Sequence, residues 1–183
     1  MEEAHRTALL KAVARFVRDA AECRGVVRIA LVGSVTTEKP APRDADVLVT
    51  VDDGADLTPL ARAGRRLKGS AQSLNLGADI FLANVKGAYI GRICHWRECG
   101  PGIRASCRAD HCGRRAFLSD DLNVLKLDGE LVRYPPIELW PSVTRRGPVP
   151  QDVEEFVIAK TSGSSVAGSA TKRLQRTSTG DED

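Results

Sequence analysis

The sequence predicts an α/β fold (α+β in some schemes), because helical and strand-like patterns alternate along the first half of the chain. Apolar residues recur at helical spacing over residues 4–21. Apolar runs of strand length follow at 26–32, at 44–51 and at about 74–83, and a second helical pattern covers 57–67. An alternation of this kind is typical of a sheet covered by helices.

Glycines and turn residues predict where these elements end. Gly25 is a plausible stop for the first helix, residues 52–54 (Asp-Asp-Gly) form a turn, and Gly69-Ser70 should end the second helix. Asp128-Gly129 predicts a β-hairpin over residues 123–134, because Asp-Gly supplies the positive φ of a tight turn.

The last third of the chain is less regular. A short helix is expected over residues 153–160, whereas Pro135-Pro136 and Pro141 limit regular structure before it. Residues 161–183 are polar and rich in Ser, Thr and Gly, which predicts a disordered tail. We therefore expect one domain over 1–160, with a Cys- and Arg-rich segment at 92–115 that is described below.

Two carboxylates open the second predicted strand. Asp44 and Asp46 are two residues apart and so project from the same face of a strand. The first predicted strand ends in Gly33-Ser34, where glycine lets backbone approach a ligand closely and a short helix opening at Ser34 would favour a phosphate. Asp79, on a third strand-like run, would join the pair, and cations are the natural reason to keep three carboxylates together.

These motifs carry a resemblance to a known family. With Gly33-Ser34, a spacer of nine residues, Asp44-Ala45-Asp46-Val47 and then Ala78-Asp79-Ile80, the chain resembles the DNA polymerase β-type nucleotidyltransferase superfamily, and its minimal nucleotidyltransferases most of all. The resemblance covers about residues 26–83 and implies a short mixed sheet with helices on one side. Many small members carry an arginine soon after the Gly-Ser pair, whereas this chain has Val35-Thr36-Thr37. The sequence contains neither a Gly-x-Gly-x-x-Gly motif nor a P-loop.

The resemblance implies transfer of a nucleoside monophosphate from a nucleoside triphosphate to an acceptor, with release of pyrophosphate. Asp44 and Asp46 would hold two Mg²⁺ ions, and Asp79 would hold the catalytic one and help to deprotonate the acceptor. The acceptor stays open among proteins, small molecules and RNA. The residues expected to meet the phosphates are Gly33 and Ser34, with Lys39 and Arg43 as weaker candidates for neutralising charge.

Four of the five cysteines fall within nineteen residues in a paired C-x4-C pattern. This cysteine cluster predicts a structural Zn²⁺ site, since four soft ligands this close suit tetrahedral zinc. Disulfides are disfavoured by the lack of an export signal, and a Cys-His nucleophile needs fewer cysteines. The expected ligands are Cys94, Cys99, Cys107 and Cys112. His111 could replace either Cys112 or Cys107.

Six arginines fall between Arg92 and Arg115, against two acidic residues. This arginine cluster suggests either an anionic partner (nucleic acid, nucleotide or acidic protein) or a solvated basic face. Trp96, within it, could stack on a base or simply pack. The alternative to an enzyme is thus a non-catalytic zinc-containing module that binds nucleic acid or protein; retention of all three carboxylates favours the enzyme.

The remaining expectations concern location and core. The N-terminal residues do not form a signal peptide and no apolar run approaches a membrane span, so a cytoplasmic protein without membrane partners is expected. Cys23 is expected on the first helix as a packed thiol, and Tyr134, Ile137 and Trp140 are core candidates.

Overall fold

A computed structural model describes residues 2–94, 115–119 and 133–162 of this 183-residue chain. Its centre is a six-stranded mixed sheet. The strands are β1 (Val26–Val32), β2 (Asp44–Val51), β3 (Gly77–Ala83), β4 (Tyr89–Ile93), β5 (Leu118–Ser119) and β6 (Ile137–Trp140). The helices are α1 (Glu2–Ala21), α2 (Leu57–Gln72) and α3, a continuous stretch of α-helix (Gln151–Val153), π-helix (Glu154–Ile158) and α-helix (Ala159–Thr161).

The sheet has the order β5-β4-β3-β2-β1-β6. One neighbouring pair, β2 with β3, is parallel and is joined by the α2 crossover; every other pair is antiparallel. The mixed α/β architecture predicted from the sequence is therefore confirmed.

Side-chain alternation divides the sheet into two faces. On β2, Ala45, Val47 and Val49 are fully buried and join a single core cluster with residues of α1, α2 and α3. The residues between them on the strand, among them Asp44 and Asp46, point to the opposite face. The helices thus pack on one face, and the polar groups that concern function lie on the other.

The predicted boundaries of β1 and β2 are confirmed to the residue, whereas the predicted end of α2 is wrong. The helix continues through Gly69-Ser70 to Gln72. Glycine in a helix costs about 1 kcal/mol relative to alanine. Burial of Leu67 before it and Ala71 after it holds the helix together across the exposed glycine.

Three strands were not predicted: β4, β5 and β6. β4 contains Gly91 and Arg92, which break its apolar pattern. β6 lies between prolines, but it forms one edge of the sheet, where a proline beside a strand costs no ladder hydrogen bond. The predicted helix at 153–160 is present as α3 and is slightly longer.

The core candidates have mixed outcomes. Cys23 is buried, but it follows α1 rather than lying on it. Ile137 is buried and Trp140 packs against the core, as expected. Tyr134 is exposed, so its assignment to the core is wrong.

Some expectations fall outside the described residues: the hairpin around Asp128-Gly129 and nearly all of the 161–183 tail. In the part of the chain that is described, no helix combines the length and apolar character needed to cross a membrane.

Candidate functional site

Strand register places the three predicted aspartates in one neighbourhood. Asp46 of β2 is the pairing partner of Asp79 on parallel β3, and of Val32 on antiparallel β1. Paired residues on adjacent strands project to the same side, and Asp44 lies two residues before Asp46 on that side. The expectation that Asp79 would join the pair from a neighbouring strand is met by this register.

Gly33 brings the turn after β1 directly against this row. It has a φ of 73° and ψ of −163°, a conformation that side chains with a Cβ rarely adopt. A Cβ built on Gly33 would lie 2.5 Å from Oδ2 of Asp46, which is closer than such atoms can approach. The glycine is therefore required for both its conformation and its contact with the carboxylate.

The electrostatics of the row centre on Asp46. Burial, followed by the negative charges of Asp44 and then Asp79, raises the pKa of Asp46 from its ordinary 3.8 to about 7, while Arg92 acts in the opposite direction. A carboxylate with such a pKa is held beside like charges and is partly shielded from water. The site therefore favours an added positive charge at Asp46.

Arg92 is a site residue that the sequence reasoning placed elsewhere, in the arginine cluster. It lies on β4 opposite Phe81, two residues from Asp79, and its Nη1 is 3.5 Å from Oδ1 of Asp79. Both side chains are about one-third exposed. Because β4 was not recognised as a strand, the sequence held no signal that would place this arginine beside Asp79.

The loop after Gly33 begins with a single 3₁₀ turn, Ser34–Thr36. The hydroxyls of its two threonines donate back into the turn: Thr36 Oγ1 to the Gly33 carbonyl (2.8 Å) and Thr37 Oγ1 to the Ser34 carbonyl (2.7 Å). Val35 is fully buried and anchors the turn to the core.

Lys39 and Arg43, which were predicted to neutralise phosphate charge, have exposed side chains. For Lys39 and Arg43, the main-chain carbonyls form tertiary bonds: Lys39 O accepts from Arg6 Nη1 (2.8 Å), and Arg43 O accepts from Gly77 N (2.8 Å). The bond from Gly77 joins the start of β3 to the residue before Asp44. Arg6 is a further residue that sequence reasoning missed, since nothing in the helical pattern separates it from the other charges of α1.

The three aspartates are neighbours, but their carboxyl groups do not converge on one point. Across the described ranges, no three Asp, Glu, His or Cys side chains form a group that could hold a metal ion. Of the predicted zinc ligands, Cys94 alone falls in those ranges, where its side chain is buried. Its amide donates to Phe117 O (2.7 Å), which fixes the two ends of the intervening segment side by side. The ligands that fall outside the described residues are Cys99, Cys107, His111 and Cys112.

The first and last members of the arginine cluster, Arg92 and Arg115, lie within the described residues. Arg92 pairs with Asp79, and Arg115 donates to the carbonyls of Asp52 (3.4 Å) and Ala55. Each therefore makes contacts within the molecule. The other four arginines and Trp96 lie outside the described residues.

Comparison with known proteins gives one match. A family model described as a family of unknown function, DUF6932, matches residues 1–99, which contain α1 to β4, Gly33 and all three aspartates. No curated protein and no solved structure matches the chain.

Proposed function

We propose that this chain, which belongs to the DUF6932 family, transfers a nucleoside monophosphate from a nucleoside triphosphate to an acceptor. The observation that carries the proposal is the contact between the Gly33 backbone and the Asp46 carboxylate, beside Asp79. It puts a glycine-serine turn suited to phosphate next to carboxylates suited to cations. The order Gly-Ser, Asp-x-Asp, Asp along the chain supports the same reading.

The residues fit divalent cations by their chemistry. Three carboxylates are hard oxygen donors of the kind that Mg²⁺ prefers. The raised pKa of Asp46 indicates that this carboxylate lacks enough positive charge around it. Asp44, Asp46 and Asp79 would hold two Mg²⁺ ions, which stabilise the attacking and leaving oxygens of an in-line displacement when bound. For Asp79 to take part, its contact with Arg92 has to loosen.

The protein's own groups would then work as follows. The backbone at Gly33 and Ser34 binds the β- and γ-phosphates, while exposed Lys39 and Arg43 neutralise charge at the rim. The acceptor oxygen attacks the α-phosphorus, and the bond from that phosphorus to the oxygen bridging to the β-phosphate breaks. Asp79 accepts the proton from the acceptor, and pyrophosphate leaves with the bond electrons.

The cysteine cluster completes the proposed domain as a structural zinc site. In support, Cys94 is buried at the end of β4, and its bond to Phe117 closes the base of the segment that carries the other ligands. Four soft ligands in a short segment suit tetrahedral structural zinc. The acceptor in this proposal is a protein, a small molecule or RNA.

The experiment that tests the function is label transfer. Purified protein is incubated with each nucleoside triphosphate labelled at the α-phosphate, Mg²⁺ and a cell lysate, and labelled acceptors are separated by size. We expect one acceptor class to be labelled by the wild type and not by Asp46→Asn. Asp53→Asn, an exposed carboxylate in the turn beyond the far end of β2, is the matched control and should retain transfer.

A wild type that labels nothing and binds no nucleoside triphosphate with Mg²⁺ would refute the proposal. Binding of nucleic acid without transfer, unchanged in Asp46→Asn, would instead identify the non-catalytic binding module.

A further inference from the structure

The carbonyl oxygens of the loop after β1 are held by protein donors along most of its length. Five of them between residues 33 and 39 accept hydrogen bonds. The first two, on Gly33 and Ser34, accept from the amides and hydroxyls of Thr36 and Thr37. The next three, on Val35, Thr37 and Lys39, accept from a single side chain, that of Arg6.

Arg6 reaches this loop from the start of α1 and is only 6% exposed. Its Nη1 donates to Lys39 O (2.8 Å), and its Nη2 donates to Thr37 O (3.0 Å) and Val35 O (3.3 Å). The planar guanidinium can do this because its donors form a fixed fork.

Asp152 on α3 holds the other side of the same guanidinium. Its Oδ2 accepts from Arg6 Nε (2.5 Å) and its Oδ1 from Arg6 Nη2 (3.1 Å). This two-point pair orients the fork and supplies the charge that a buried arginine requires. Side chains 146 positions apart thereby set the backbone of one loop.

We infer that Arg6, oriented by Asp152, is a positioning residue that shapes the loop of residues 33–39 to bind the triphosphate. The inference rests on the proposed function. A phosphate is attracted by backbone amides and repelled by carbonyl oxygens, so an anion-binding loop has to engage its carbonyls elsewhere. Arg6 and the two threonines do this for five carbonyls. The amides of Thr36, Thr37 and Lys39 also bond within the loop, whereas the amides of Gly33 and Ser34, which the proposal assigns to the phosphates, are not among these donors.

Packing alone does not account for the path of the loop at residues 33–39. Glu38, Lys39 and Pro40 are exposed, so the second half of the loop has little apolar contact to define its path. The bonds from Arg6 to Thr37 and Lys39 supply that definition. Small misplacements matter in such sites, since a shift of about 1 Å can cost about a hundredfold in rate.

The test uses the full chain and inorganic tripolyphosphate with Mg²⁺, a probe that carries the triphosphate without a base. Its dissociation constant is measured by calorimetry for the wild type, Arg6→Gln, Asp152→Asn and the double variant. We expect each variant to bind about tenfold more weakly or worse, in keeping with the sensitivity to position. In label transfer, KM for the triphosphate should rise more than kcat falls.

The double variant separates positioning from stability. Asp152→Asn leaves the charge of Arg6, which is only 6% exposed, without a counterion. Removing both partners avoids this, so the double variant should unfold at a higher urea concentration than Asp152→Asn. Its affinity for tripolyphosphate should nevertheless stay low, because the fork is still missing. Val157→Ala is the matched control: it removes buried methyl groups from α3 without touching the fork, and should lower stability while leaving affinity unchanged.

The outcomes distinguish failure of the positioning role of Arg6 from failure of the proposed function. If the wild type binds tripolyphosphate and Arg6→Gln binds it equally well, or if the double variant recovers affinity together with stability, the positioning role is wrong and the proposed function stands. If the wild type does not bind tripolyphosphate or any nucleoside triphosphate, the proposed function is wrong, and the phosphate role of Arg6 with it.

Discussion

Replacing Asp46 with asparagine should stabilise the folded protein while abolishing transfer. Asparagine has nearly the same shape as aspartate but no charge. In the wild type without added divalent cation, Asp46 has to ionise next to Asp44 and Asp79 in a partly buried position, which is why its pKa is raised to about 7. The variant removes this cost, so the gain should depend on pH.

The sign and size follow from the pKa. A carboxyl group whose folded-state pKa is above its unfolded value stabilises fully below the unfolded value, here 3.8, and loses that contribution as pH rises to about 7. Each pH unit in this window lowers the free energy of unfolding by about 1.4 kcal/mol. Above about pH 7 the total loss is constant, with an upper limit of about 4 kcal/mol. Between about pH 5 and about pH 8 the wild type should thus lose about 2–3 kcal/mol relative to Asp46→Asn, or about 1–2 after solvent screening.

The assay is urea unfolding at those two pH values in the presence of a chelator. Asp53→Asn, whose carboxylate is exposed, should unfold in parallel with the wild type at both pH values. Equal free energies of unfolding for the wild type and Asp46→Asn at about pH 8, or a gap that does not grow from the lower pH, would refute the reasoning. Adding Mg²⁺ should stabilise the wild type and close the gap, because a ligand of the folded state shifts its stability by mass action.

Three further predictions follow from the site and its surroundings. Gly33→Ala should destabilise the protein by about 1–3 kcal/mol, because it places a Cβ 2.5 Å from the Asp46 carboxylate at a positive φ; an unchanged midpoint of thermal unfolding would contradict the described turn. Protein purified without added metal should carry about one equivalent of zinc in the cysteine cluster, released by a chelator or mild acid, and less than about a tenth of an equivalent by elemental analysis would exclude it. If the arginine cluster meets an anionic acceptor, the paired change Arg104→Ala and Arg108→Ala should weaken acceptor use more than nucleotide binding, and binding of the acceptor should fall steeply with salt; a flat salt dependence would leave only a solvated basic face.

The sequence was sufficient for the central strands and for the carboxylates. Side chains two residues apart on a strand share a face, and this two-residue period admits only one arrangement of Asp44 and Asp46. The neighbourhood of Asp79 followed from its place in another apolar run. These features are local, so the pattern contains them.

What the sequence missed depends on distant contacts. β4 and β6 lack a clear period, and their strand conformation comes from pairing with β3 and β1 rather than from their own residues. In the sequence Arg92 is one member of a basic segment, and only the pairing of β4 with β3 brings it beside Asp79. Arg6 and Asp152 are 146 positions apart, and no local pattern connects a helix arginine with an aspartate in another helix.

The antiparallel pairing of β6 with β1, together with the packing of α3 on α1, has a consequence for how the protein can be divided. The family match ends at residue 99, yet β1 takes one of its two neighbours, and Arg6 takes its carboxylate, from beyond residue 136. A fragment cut at the end of the match would expose one edge of a central strand and leave a guanidinium buried without a counterion. The portion recognisable by sequence is therefore smaller than the portion that folds, and expression boundaries should include residues through Thr161.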